Sequence, residues 1–300
     1  MKILLCTDGS AHSHAAADLL LRIPLPQDTE VTVLSVVEAH APFAGDGSDM
    51  APEERDALQK IRDAMQQNAD EYVSADAERL RGSARTVRQV TRRGEVGEQI
   101  AHVARELGSD LIVIGALGQS DRKRGQLGNN PRRVLKYAPC SVLVARPTPE
   151  PTDGQEPLKI LVAYDGSPSA NAGVTTLASL PLQDRAEVTV LTVLTVATTL
   201  YRRDVLEKMS ATWQRHKRDT QRDLEAAVTT LRGATPNVSS RIIESGPDAS
   251  DAVLDAAGSM GADLVMVGHS GKTRVKEFLQ GSVSREVMES APCSAWVVKE

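Results

Sequence analysis

Two stretches of this chain are almost the same stretch. Lys2-Ile3-Leu4-Leu5-Cys6-Thr7-Asp8-Gly9-Ser10 is answered 157 residues later by Lys159-Ile160-Leu161-Val162-Ala163-Tyr164-Asp165-Gly166-Ser167. Residues 31–36 (Val-Thr-Val-Leu-Ser-Val) are answered at the same distance by 188–193 (Val-Thr-Val-Leu-Thr-Val). Further on the spacing is 153: Gly115 pairs with Gly268, Gly128 with Gly281, and Ala138-Pro139-Cys140-Ser141 with Ala291-Pro292-Cys293-Ser294. Landmarks repeating in order mean one unit written twice. Each copy is long enough to be a domain, so the pattern is not a solenoid. The copies are 1–146 and 158–300. The linker, 147–157, carries Pro147, Pro149, Pro151 and Pro157, which neither a helix nor a ladder accommodates.

Within a copy, strand and helix patterns alternate. The first copy predicts strands at 3–7, 31–37, 85–91, 110–114 and 141–145, and helices at 11–23, 53–80, 97–107 and 131–137. Residues 39–52, with two prolines and two glycines, read as a mobile loop. Ser10 is placed to cap the first helix. The second copy repeats the order, with 205–231 as its long helix. Continuously apolar strands separated by helices predict an α/β fold: two tandem open five-stranded parallel sheets with helices on both faces. The polar alternation of 85–91 marks a sheet edge. Such sheets bind ligands beyond the carboxyl ends of their strands, where the strand order reverses.

The residues with chemistry lie at those ends. Asp8 and Asp165 each close a first strand, and Gly115 and Gly268 each close a fourth. The apolar run 262–267 leads into Gly268-His269-Ser270-Gly271. Nine residues later Gly281-Ser282-Val283-Ser284 opens a helix. Amides at a helix start are unpaired and carry partial positive charge, which makes them an anion site. Glycines let the backbone approach a phosphate. The Ser282 hydroxyl binds phosphate or, in an empty site, caps the helix. The carboxylate of Asp165 is suited to ribose hydroxyls or to a Mg²⁺ held on the phosphates. Its bland alternative is that Asp-Gly-Ser only turns the chain and caps the next helix. Lys272, Arg274 and Lys276 read equally as phosphate contacts and as a solvated loop. Neither a P-loop nor a dinucleotide fingerprint is present.

The first copy differs at this point. Asn129 stands where Ser282 stands, and Pro131 where Ser284 stands, so one candidate donor is missing. Pro131 fits the first turn of a helix with Asn129 or Asn130 as its cap. Arg122, Lys123 and Arg124 add positive charge. The second copy is therefore expected to bind a nucleotide more strongly than the first.

Composition limits the alternatives. Acids outnumber bases by 40 to 35, and aromatics make up 3%. That disfavours a nucleic-acid partner, which needs a basic face or a stacking platform. The first eight residues turn polar too early for a signal peptide. No apolar run is long enough to span a membrane. Three cysteines without metal spacing, Cys6, Cys140 and Cys293, fit buried reduced thiols in the cytoplasm. The six histidines form no ligand pair with a carboxylate, and His269 reads equally as a ligand contact and as a surface imidazole.

A carboxylate after the first strand, with Gly-x2-Gly-x9-Gly-Ser between the fourth strand and the last helix, resembles the universal stress protein family. The match runs through both copies and resembles a tandem-domain member of the ATP-binding subset. The resemblance implies the adenine nucleotide alpha hydrolase-like fold, with the two domains packed about a pseudo-twofold axis through strands 141–145 and 294–298, and homodimers among its members. It implies ATP, ADP or AMP as ligand, with Mg²⁺. By this likeness Asp165 meets the ribose or metal, the main chain of Val193 meets adenine, and Gly268, Gly271, Gly281, Ser282, Val283 and Ser284 meet the phosphates. The first-copy counterparts are Asp8, Val36, Gly115, Gly118, Gly128 and Asn129. The expected role is a stress-response regulator that binds a nucleotide and acts through protein partners. No base or nucleophile faces the phosphates, so hydrolysis is expected to be slow at most. The alternatives are a slow ATPase or autophosphorylating enzyme, and a nucleotide-free dimeric scaffold.

Overall fold

A computed structural model of the chain describes residues 1–38, 51–119, 127–147, 156–195, 203–245, 248–270 and 281–300, with the backbone alone for 203–211. It divides into two compact units, Met1–Leu21 with Leu25–Pro147, and Arg22–Pro24 with Thr148–Glu300. The predicted loop at 39–52 lies outside the described residues except for its last two, and Pro52 already begins a helix.

The first unit runs β1 (Lys2–Cys6), α1 (Ala11–Arg22), β2 (Glu30–Glu38), α2 (Pro52–Arg79), β3 (Thr86–Gly94), α3 (Val96–Leu107), β4 (Leu111–Gly115), α4 (Asn129–Tyr137) and β5 (Ser141–Ala145). Its strands lie in the order β3-β2-β1-β4-β5, and every pairing among them is parallel. The second unit runs β6 (Leu158–Ala163), α5 (Pro168–Ala178), a single 3₁₀ turn, β7 (Ala186–Thr195), α6 (Arg203–Leu231), β8 (Val238–Ser245), α7 (Ala249–Ser259), β9 (Leu264–Gly268), α8 (Ser282–Ser290) and β10 (Ser294–Val298). Its order is β8-β7-β6-β9-β10, again parallel. In each unit the chain first builds outward from the first strand and then returns to its other side. The order therefore reverses between β1 and β4, and between β6 and β9. A crevice opens at the carboxyl ends of those pairs.

The central strands are apolar because both of their faces are covered. Leu4, Leu5, Val31, Val33, Ile112 and Val113 are fully buried, as are Leu161, Val190, Leu264 and Val265. Each such side chain contributes about 1.5–3 kcal/mol relative to exposure. Strand β3 ends its unit's order and is half-exposed, as its polar alternation predicts.

Two helix starts differ from the sequence expectation. α4 begins at Asn129, not Pro131, and its N-cap is Gly128 with extended backbone; neither Asn129 nor Asn130 caps it. α8 begins at Ser282 with Gly281 as N-cap, so the Ser282 hydroxyl does not cap. In both helices the glycine's backbone makes the entry turn and leaves the side chains that follow uncommitted to capping.

The long helices are held to their neighbouring strands in matching ways. Gln66 accepts from Arg93 at 3.0 Å, and Lys217 donates to Glu244 at 2.6 Å. Both members of the second pair lie 151 residues after those of the first, which aligns α2 with α6. Asp76 of α2 then corresponds to Ala227 of α6. Asp76 is 1% exposed, and neither of its carboxylate oxygens has a hydrogen-bond partner among the described residues. The Arg79 guanidinium approaches it only to 3.7 Å and also contacts Asp18. An unsatisfied buried polar group costs about 1–3 kcal/mol. Asp76→Ala, which installs the second unit's residue, is expected to raise stability by about 1 kcal/mol. Urea unfolding followed by circular dichroism measures it, and a loss of stability would show that Arg79 compensates the charge.

Candidate functional site

The Asp-Gly-Ser turns come first, because they aim everything else. Asp8 Oδ1 accepts from the Ser10 amide at 3.0 Å, and Asp165 Oδ1 accepts from the Ser167 amide at 2.9 Å. The glycines between them have φ of 72° and 74°, a left-handed conformation that side chains resist. Ser10 Oγ accepts from Ser13 N, and Ser167 Oγ accepts from Ala170 N, both at 3.2 Å, so each serine caps the helix it starts. Turn and cap are thus built as the bland alternative expected. They use one carboxylate oxygen. The second oxygen of Asp165 has no partner among the described residues.

The glycine that closes β9 has a structural duty. A Cβ on Gly268 would lie 2.5 Å from Ser169 Oγ and 2.9 Å from the Ala170 nitrogen. A Cβ on Gly115 would lie 2.7 Å from the backbone of His12. The missing side chain admits the first turn of the following-strand helix, which draws Asp165 and the glycine stretch to one crevice. Ser169 Oγ also donates to the Ser270 carbonyl at 2.5 Å. Nothing local in the sequence pointed to Ser169, since its partner is 101 residues away.

A cavity of about 370 Å³ fills the crevice of the second unit. Tyr164, Asp165, Val193 and Gly268 line one side, and Gly281, Ser282, Val283 and Ser284 the other. Gly271, with Lys272, Arg274 and Lys276, lies outside the described residues. The first helical hydrogen bond of α8 runs from Arg285 N to Gly281 O, at 3.1 Å. The amides of Ser282, Val283 and Ser284 precede it and have no helical acceptor. Ser284 Oγ is spent on the Gly281 and His269 carbonyls, which leaves its amide as the group it offers.

Val193 is placed by strand geometry. Tyr164 N donates to Leu191 O at 2.8 Å, so Leu191 faces β6. Alternation turns Val193 the same way, past the point where β6 ends. Its N–H and C=O face the crevice as a donor–acceptor pair. Thr7 N and Leu34 O, at 2.9 Å, give Val36 the same setting in the first unit.

The first unit's cavity is about 300 Å³ and includes Asp8, Val36, Gly115, Gly118, Asn130 and Pro131. Gly128 and Asn129 do not line it: Gly128 is buried as the N-cap, and Asn129 is exposed. Cys6 lines the cavity, and its burial pushes the thiol far up from its ordinary pKa. Cys140 and Cys293 are half-buried rather than buried.

The sequence model of the universal stress protein family matches residues 1–146 and again 158–299. The chain belongs to the universal stress protein family. A universal stress protein of Methanocaldococcus jannaschii is 32% identical over 155 residues, which is 48% of this chain and 81% of that one. A crystal structure of a universal stress protein from Archaeoglobus fulgidus covers 99% of this chain and 98% of its own, with a TM-score of 0.63 at 18% identity. A functionally unknown protein from Pseudomonas aeruginosa covers 99% and 92%, with a TM-score of 0.62 at 17% identity. These two likenesses are likenesses of fold.

The two domains of this universal stress protein differ in donors and charge. At the start of α4 only Asn129 and Asn130 carry an amide before Arg132 N bonds Gly128 O, because Pro131 has none. Ser282, Val283 and Ser284 all line the second cavity, whereas of the two α4 residues that carry an amide only Asn130 lines the first. In the second domain the Tyr164 phenol is raised from its ordinary pKa, first by burial and then by the charges of Asp223 and Asp165. Its hydroxyl donates to Asn171 Oδ1 at 2.8 Å. The His269 imidazole is lowered, mainly by burial, so it is half-buried rather than a surface ring. Among the described residues no group of three His, Cys, Asp or Glu side chains is placed to hold a metal, and no helix is long and apolar enough to cross a membrane.

The close approach at Gly268 has a direct test. Gly268→Ala is expected to cost about 1–3 kcal/mol through overpacking against Ser169. Gly258→Ala in α7, where a Cβ meets nothing within 4 Å, is expected to leave stability unchanged or raise it by up to about 1 kcal/mol. Both tryptophans, Trp213 and the fully buried Trp296, belong to the second domain, so intrinsic fluorescence during urea unfolding reads both variants.

Proposed function

We propose that this universal stress protein binds an adenine nucleotide, ATP, ADP or AMP, in the crevice of its second domain, as a regulatory binding module and not as an efficient enzyme. The observation that carries the reading is convergence in one cavity: three amides at the start of α8 that have no helical acceptor, an oxygen of Asp165 without a partner among the described residues, and the crevice-facing N–H and C=O of Val193. The amides suit phosphate oxygens, since they combine fixed donors with the positive end of the helix dipole. The Asp165 oxygen suits a ribose hydroxyl or a Mg²⁺ carried by the phosphates. A donor beside an acceptor on one residue suits the edge of a purine that offers the reverse pair. Gly281, Ser282, Val283 and Ser284 hold the phosphates, with Gly268 beside them at the end of β9 and Gly271 assigned to the same set from the sequence. In the first domain Asp8, Val36, Gly115 and Gly118 form the weaker counterpart, without Gly128 and Asn129, which do not line its cavity.

Isothermal calorimetry of nucleotide-stripped full chain with MgATP tests this. One strong site per chain is expected. Ser284→Pro gives α8 the first domain's solution, which that fold already accommodates, and removes one donor to charge. Such a bond contributes about 1.5–3 kcal/mol, so affinity is expected to fall roughly 10- to 100-fold. Asp165→Asn keeps an oxygen for the Ser167 amide and removes the charge, and is expected to weaken binding of MgATP more than of ATP without metal. Absence of ATP binding by the wild type, or unchanged affinity in both variants, would refute the proposal.

A further inference from the structure

Beyond its missing amide, the first-domain crevice carries two side chains, Gln119 and Tyr72, that the second copy lacks. Asp8 has both carboxylate oxygens engaged: Oδ1 accepts from Ser10 N at 3.0 Å, and Oδ2 accepts from the main chain of Gln119 at 3.0 Å. The Gln119 side-chain amide then donates to the Asp8 carbonyl at 2.5 Å and to the Tyr72 hydroxyl at 3.2 Å. The Tyr72 ring lies against the Asp-Gly-Ser turn so closely that a Cβ on Gly9 would fall 2.5 Å from it. Asp8, Tyr72 and Gln119 all line the same cavity. One residue after β4 thus ties the end of β1 to the long helix α2, across the side of the crevice where the carboxylate stands.

We infer that the Gln119 side chain and Tyr72 form an internal clasp that excludes nucleotide from the first-domain crevice: anchored on the Asp8 carbonyl and the Tyr72 hydroxyl, the side chain holds the Gln119 main-chain N–H on the carboxylate oxygen that a ribose or a bound cation would need. The inference rests on the nucleotide reading of the second domain and assigns the specificity of the first to two residues which that reading does not use. Neither side chain of the clasp recurs in the second copy. Gln119 corresponds to Lys272 at the spacing of 153, and Tyr72 to Asp223 at the spacing of 151 that aligns the long helices. A tyrosine replaced by a carboxylate gives no phenol for an amide to hold. Glutamine is neutral, donates from one flat group in two directions and spans the gap. The clasp and Pro131 act on opposite ends of a ligand: the clasp on the sugar side, the proline on the phosphate side.

Native mass spectrometry of the full chain with MgATP separates the two. The wild type is expected to carry one ATP, and Pro131→Ser, which restores the third amide alone, is expected still to carry one. Pro131→Ser with Gln119→Ala, an exposed side chain whose loss leaves the core intact, is expected to carry two, the second site at least tenfold tighter than in Pro131→Ser. Adding Ser284→Pro to that variant is expected to weaken the original site and spare the new one, which places the gain in the first domain. A second ATP in Pro131→Ser alone would assign the exclusion to the missing amide. A count that stays at one after Gln119→Ala, and after Tyr72→Ala is added to it, would overturn the clasp while leaving the second-domain site standing. No ATP on any variant, wild type included, would overturn both readings together.

Discussion

Everything at the site depends on a contact in which a side chain is missing. The first turn of α5 rests on the end of β9 at Gly268, so close that a Cβ there would strike Ser169. The same helix start carries the turn that aims Asp165, and Ser169 grips the Ser270 carbonyl just beyond the glycine. The carboxylate and the glycine stretch follow different strands, with Asp165 and Gly268 103 residues apart in sequence. They share a crevice because one helix touches both. The first domain makes the same approach at Gly115 against His12. The glycine expected to admit a phosphate therefore first admits a helix, and its nearness to the cavity follows from that packing.

Much of this was legible before any coordinates. Continuous apolar runs separated by amphipathic helices force a parallel sheet covered on both faces, and the duplication gave each element two independent readings. The strand 141–145 was placed to the residue because a serine and four apolar positions lie between a Pro-Cys turn and the proline-rich linker. Pro131 stated its consequence outright, since a residue without an N–H cannot donate wherever it sits. Local rules failed where contacts were long-range. Ser169 and Gln119 act on partners 101 and 111 residues away, and no spacing encodes that. Preference tables favoured Asn and Ser as helix caps, but glycine takes the position in both α4 and α8, where the entry turn needs the backbone and not a side chain. Asp76 sits in the apolar stripe of α2 in place of an alanine, and only its burial reveals it.

Two copies of one frame carry two chemistries. The sheet order, the turn at its centre and the close helix approach are the same in both units, because they are what folds. The groups that a ligand would meet have diverged around that frame. The second crevice presents three amides and a carboxylate oxygen without a partner among the described residues, with Asp223 near its tyrosine. The first presents the Asn130 amide, a proline and a carboxylate whose oxygens are already held by the chain. Divergence at the rim is inexpensive in stability, since the rim side chains bury little, whereas change at the glycines disturbs the frame itself.

The central claim is that ligand phosphates meet the first amides of α8. Those amide protons are directly observable in a nitrogen–proton correlation spectrum of the isotopically labelled full chain titrated with MgATP. The account predicts saturable downfield shifts at Ser282, Val283 and Ser284, with Val193 moving at the same ligand concentrations and Asn129 and Asn130 staying still. Unmoved resonances at 282–284 while ATP binds elsewhere, or equal movement at Asn129 and Asn130, would contradict it.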